Sequence, residues 1–193
     1  MTVSSTRCCR RISFLAALLA LWLAIGSPLC ARADGIEVRR ASLSVGEDSY
    51  VLEANFEIAL TPTLEDVLNK GVSLYFLLEF ELLRPRWYWF SDKIVTTQQQ
   101  YRLSYHALTR QYRIGVGNLY QNFGALADAL EVMSRLRRRE EIEPGTLRKD
   151  TTYTAALRLR LDTSQLPKPF QLSTLGSREW NVGSDWYRWT VTP

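Results

Sequence analysis

The feature that most constrains this chain is an alternation of apolar and polar residues with a period of two. Leu52, Ala54, Phe56, Ile58 and Leu60 alternate with Val51, Glu53, Asn55 and Glu57. Successive side chains of an extended strand point to opposite faces, so this run reads as a strand with one wet face. Residues 36–45 form a weaker strand, and Gly46-Glu47-Asp48 marks a turn, which makes 36–60 a hairpin. Val72, Leu74, Phe76, Leu78, Phe80 and Leu82 fill one face of the strongest strand, 72–83. Tyr75, Leu77 and Leu83 add apolar groups to its other face, which places it centrally in a sheet. The alternation returns over 95–105, 112–116, 155–161 and 186–191, with a second hairpin turn at 106–110.

Two segments carry the helical period instead. Thr61 can cap a short helix, Pro62 is tolerated in its first turn, Glu65 and Asp66 complement its dipole, and Gly71 ends it. Leu119, Phe123, Leu126, Leu130 and Met133 follow spacings of four and three, which predicts an amphipathic helix over 122–138. Arg135, Arg137, Arg138 and Arg139 then fall in its last turn, as a solvated helix end. Arg84-Pro85-Arg86 stops the central strand, and Pro167 and Pro169 break the chain later. No βαβ rhythm and no internal repeat is present, and strands arriving as hairpins pair antiparallel. The expected fold is mainly β: an antiparallel two-sheet sandwich of seven or eight strands with two packed helices. A single curved sheet covered by the helices is the alternative.

The first 33 residues differ in kind from the rest. Arg7, Arg10 and Arg11 precede the apolar run 12–26, and Gly26, Pro28 and Ala31-Arg32-Ala33 follow. This order matches a secretory signal peptide with small residues at the cleavage site, cut between Ala33 and Asp34. A helix of that apolar length reaches about 22 Å, short of the roughly 30 Å hydrocarbon core. An uncleaved inner-membrane anchor is the alternative, and only that would give the protein membrane contact. A lipid-modified Cys30 fits poorly, because Pro28 sits beside the processing site. The expected product is a single β-rich domain, 34–193, in the periplasm or secreted.

Removing the leader changes the chemistry available. Cys8, Cys9 and Cys30 are the three cysteines, so a cleaved chain has no disulfide, thiolate metal site or cysteine nucleophile. It also has 20 basic and 20 acidic residues. Such balance argues against nucleic acid as a partner. A eukaryotic secreted protein of this size without cysteine would be unusual, so the destination is a bacterial envelope. His106 stands alone, on the polar side of a predicted turn, and neither a metal site nor a serine–histidine hydrolase is marked. No cofactor fingerprint is present; Gly115-Val116-Gly117 lacks a third glycine and reads as a bend leaving the strand. Glu79 and Glu81 share a strand face about 7 Å apart, a spacing a glycosidase could use, but a cross-paired strand face looks the same.

Aromatic residues carry the strongest binding signal. Five tryptophans, nine tyrosines and six phenylalanines lie beyond the leader, clustered at Trp87-Tyr88-Trp89-Phe90 and at Trp180, Trp186, Tyr187 and Trp189. Four consecutive aromatics on an extended chain must point to both faces. Trp87 and Trp89, flanked by Arg84 and Arg86, are therefore the candidate binding patch, unless both faces are covered. Asp185 or Asn181 could supply polar tips if the ligand is small or a glycan.

Ordered motifs along nearly the whole domain carry a resemblance. They are Gly71-Val72, Leu74-Tyr75-Phe76, Phe80-Glu81, Arg86-Trp87-Tyr88-Trp89, Tyr101-Arg102-Leu103-Ser104-Tyr105 and Leu108-Thr109-Arg110-Gln111-Tyr112-Arg113. The run from Leu159 through Asp162 and Pro167 to Pro169, and Ser184-Asp185-Trp186-Tyr187, complete them. In these the chain resembles the exported bacterial family catalogued as domain of unknown function 4390. The resemblance implies a signal peptide and no assigned catalytic residues. It also implies genomic proximity to a membrane histidine kinase of the nitrogen-regulation type. The expected function is a non-catalytic envelope module that binds a protein, such as that kinase's sensor domain. A small-ligand or glycan binder is the alternative; an enzyme using Glu79 and Glu81 is the third reading.

Overall fold

The computed structural model describes residues 35–46, 49–84, 92–140, 142, 147–148, 151–174 and 177–192. Among the described residues, nine strands and three α-helices follow the chain order β1 (Gly35–Val45), β2 (Tyr50–Ala59), α1 (Pro62–Asn69), β3 (Leu74–Arg84), β4 (Asp92–His106), β5 (Gln111–Val116), β6 (Leu119–Phe123), α2 (Leu126–Ser134), β7 (Arg135–Glu140), β8 (Tyr153–Leu161), α3 (Lys168–Thr174) and β9 (Tyr187–Val191). They build two antiparallel sheets, ordered β1-β2-β7 and β6-β5-β4-β3-β8-β9. The expected two-sheet antiparallel architecture is the one observed.

Alternation explains the layering. Leu52, Ala54, Phe56 and Ile58 of β2 and Leu74, Phe76, Leu78, Phe80 and Leu82 of β3 are buried, and all belong to one core. Leu157, Leu159 and Leu161 of β8 and Leu103 of β4 join them. Strand β3 lies between β4 and β8, as its two-faced apolar pattern predicts. The small sheet covers only part of the large one: β1 meets β8 and β9, whereas α2 bridges β2 and β7 to β5 and β6. Helix α2 thus fills the end that three strands cannot cover, sealing it with Ala129 and Met133.

Local chemistry sets the boundaries of α1. Thr61 Oγ1 accepts from Leu64 N at 3.3 Å and donates to the Glu179 carbonyl at 3.0 Å, Pro62 opens the helix, and Gly71 follows it with φ +91°.

Three expectations are corrected. The helix predicted over 122–138 begins only at Leu126 and stops at Ser134. Leu119 and Phe123 lie instead on β6, because Gly117 takes φ +57° at the first position of a two-residue turn and folds the chain back on β5. The arginine run is not a helix end. It is β7, an edge strand that pairs with β2 and sets Leu136 opposite Ala54, leaving Arg137 to pair with Glu53 at 3.2 Å. The apolar stripe of the helix ends at Met133, and beyond it pairing satisfies the otherwise open edge of β2. Third, the segment around Pro167 and Pro169 is not only a break: α3 starts there, with Pro169 in the first turn, where its missing N–H costs nothing.

Candidate functional site

Of the four residues singled out for binding, Arg84 is described; Arg86, Trp87 and Trp89 lie outside the described residues. Arg84 ends β3, half-buried, and its Nη2 donates to Asp92 Oδ2 at 3.0 Å. These two residues are register partners across β3 and β4, so the arginine closes a strand pair.

The second aromatic cluster divides between two faces. Trp180 is buried and packs on Phe170, with ring centres 5.8 Å apart. Trp189 packs on Phe80 at 6.3 Å and on Tyr187 at 5.9 Å. Both serve the core. Trp186 instead lies on the outer face of the large sheet, with the Arg158 guanidinium 4.4 Å from its ring centre. Asn181 and Asp185 are exposed; Asp185 lines a concavity of about 420 Å³ with Trp186, Ser184 and Glu37.

The outer face also holds the two carboxylates considered for catalysis. Glu79 sits opposite Arg158 on β8 and Gln98 on β4. Its Oε2 accepts from Arg158 Nε and, at 3.1 Å, from Arg160 Nε. Burial pushes the Glu79 carboxyl up, but hydrogen bonds from Arg158 and Arg160, aided by their charges, outweigh it and hold the group below its ordinary range. Glu81 accepts from Lys93 Nζ at 2.6 Å. The shared face is therefore built of cross-strand ion pairs, and an anionic Glu79 held this way does not donate a proton at neutral pH. Among the described residues no three His, Cys, Asp or Glu side chains come together as metal ligands. His106 ends β4, exposed, with Nδ1 within 3.2 Å of Thr109 Oγ1.

Toward the other end of the same face the cations have different partners. Arg102 donates to Ser73 Oγ at 3.2 and 3.1 Å, and its Cζ stands 5.8 Å from the Tyr75 ring centre. Arg113 donates to Asn122 Oδ1 at 2.8 Å, with Cζ 5.9 Å from the Tyr120 ring centre. Gly115 lies between the two arginines. A Cβ there would stand 2.8 Å from Tyr120 Cε1, so the absent side chain is what lets the ring lie across the strand. Gly115 is thus no bend; Gly117 makes the turn. Tyr75, Gln100, Arg102, Gly115 and Tyr120 line a shallow concavity of about 240 Å³. Sequence reasoning missed this group. Its one legible signal was a glycine inside an alternating strand, which marks close approach of another group.

The outer face thus runs from carboxylates neutralised by arginine and lysine to arginines resting on tyrosines. Planar cations backed by aromatic rings suit acidic or hydrogen-bonding groups on a broad surface. Fold and face together define an antiparallel two-sheet β domain whose outer face sets arginines on tyrosines. The chain belongs to the family described as Domain of unknown function (DUF4390), whose model matches residues 33–190. No curated protein and no solved structure gives a match. Among the described residues no helix is long and apolar enough to cross a membrane.

Proposed function

We propose that this protein is a non-catalytic module of the bacterial envelope that recognises a protein partner through the outer face of its six-stranded sheet. The observation that carries the reading is the division of labour on that face. Glu79 and Glu81 are taken up by Arg158, Arg160 and Lys93, while Arg102 and Arg113 rest on Tyr75 and Tyr120. Tyrosine and arginine are the residue types on which protein interfaces draw most heavily. The shallow relief also suits a protein surface better than an enclosed substrate.

The leader-like stretch supports the setting. The family match begins at residue 33, where the leader-like stretch ends. The partner that the family resemblance favours is the extracytoplasmic sensor domain of a membrane histidine kinase. Titration with a purified extracytoplasmic sensor domain of a histidine kinase from the same organism tests the link. Saturable binding that Arg102→Glu weakens at least tenfold supports it; no binding rejects that partner.

Glycan recognition is the second reading, favoured by the concavity where Trp186 stands beside Asp185 and Ser184. Saturable changes in tryptophan fluorescence with envelope glycans, abolished by Trp186→Ala, would favour it over a protein partner.

A further inference from the structure

Strand β6 shows how a partner could engage the face. Among the described residues, three of the four sheet edges carry charge: β1 has Glu37, Arg39 and Arg40, β7 has Arg135, Arg137 and Arg138, and β9 has Arg188. Charged edge residues discourage pairing with another chain. Strand β6, Leu119-Tyr120-Gln121-Asn122-Phe123, has no charge and no proline, and its first four residues are exposed. Leu119 is 79% exposed and Tyr120 58%.

The edge also has backbone groups to offer. Val116 and Leu119 flank the two-residue turn at Gly117, so they are the pair that closes it with hydrogen bonds. Bonded and non-bonded pairs alternate along an antiparallel ladder. The Gly115–Tyr120 and Arg113–Asn122 pairs are therefore non-bonded, and the amides of Tyr120 and Asn122 point away from β5.

Charge selects the occupant. Through its bond to Asn122 and its position over Tyr120, the Arg113 guanidinium lies over β6 and not over its own strand. Among the described residues it has no carboxylate partner. A strand added to β6 would run about 5 Å beyond it. A glutamate beside Asn122, on the outer face of that strand, then reaches the guanidinium. A second copy paired β6 to β6 would bring two Arg113 guanidinium groups to one seam and be opposed by their repulsion.

We infer that the free edge of β6 accepts an extended acidic segment of the partner as an added strand, its carboxylates meeting Arg113. This rests on the proposed protein-binding role and specifies its chemistry. The probe is a short synthetic peptide alternating glutamate and valine, with a glutamine–valine peptide as control. The acidic peptide should slow hydrogen exchange at the Tyr120 and Asn122 amides and bind about tenfold more tightly than its control. Arg113→Gln should remove that difference. Asn122→Pro, which deletes an edge amide where proline is tolerated, should abolish binding of both peptides while unfolding stays cooperative. Equal binding of the two peptides, no added protection on β6, or concentration-dependent β6 protection without peptide overturns the inference. The parent reading fails separately, if outer-face variants away from β6, such as Arg102→Glu, leave partner binding intact.

Discussion

Arg158 and Glu79 face each other in register across β8 and β3, and the same guanidinium covers the Trp186 ring at 4.4 Å. One arginine thus ties the central strand, its neighbour and the segment leading into β9. The pair sits on the solvent side of the sheet, yet Glu79 is only 8% exposed. Removing Glu79 leaves the Arg158 and Arg160 guanidinium groups without the carboxylate they share.

Glu79→Gln should therefore destabilise the domain by about 1–3 kcal/mol at neutral pH, read by urea unfolding. The group's folded pKa is depressed, so its contribution is full above the unfolded value of about 4.3 and is lost as pH falls through the lower folded value. The difference between wild type and variant should shrink below pH about 4. A gap that persists in acid would contradict the ion-pair account.

Two glycines separate surface adjustment from backbone contact. A Cβ on Gly115 meets the ring of an exposed tyrosine, which can swing away; Gly115→Ala should cost less than about 1 kcal/mol. A Cβ on Gly183 meets Arg160 Cβ at 2.9 Å and Cα at 3.3 Å, beside the bridge between those two residues. Gly183→Ala should cost about 1–3 kcal/mol. Equal costs in thermal unfolding would refute the distinction.

Phe80 is 1% exposed and packs on Trp189. Phe80→Ala should cost about 3–5 kcal/mol and alter tryptophan fluorescence in the folded state. A loss below about 1 kcal/mol would place Phe80 outside the core.

Arg84→Ala, by contrast, should cost less than about 1 kcal/mol, because the Arg84–Asp92 pair is partly exposed, with 36% and 30% of the side chains accessible. A larger loss in urea unfolding would mean that the pair anchors more than a strand end.

Alternation made the strands legible: β2, β3 and β8 bury every second residue, and no other backbone conformation lets Leu74 through Leu82 reach one core. It failed where a helical period arose by coincidence. Leu119 and Phe123 kept helical spacing with Leu126, but a turn at Gly117 set them on an edge strand, and an alternating Leu136 between arginines had value only as a pairing partner for β2. The arginine–tyrosine face was less legible still. Arg102, Gly115 and Tyr120 are distant or ambiguous in sequence and meet only because three strands align in one register. The run Trp87-Tyr88-Trp89-Phe90, conspicuous in sequence, lies outside the described residues.

The central claim is that the outer face of the six-stranded sheet is where this protein meets its partner. A photo-crosslinking residue placed at Gln100, on that face, or at Val45, on the small sheet, tests it in the intact envelope. The account predicts one discrete covalent adduct from Gln100, lost on Arg102→Glu, and none from Val45. A discrete adduct from Val45 with none from Gln100 would contradict it.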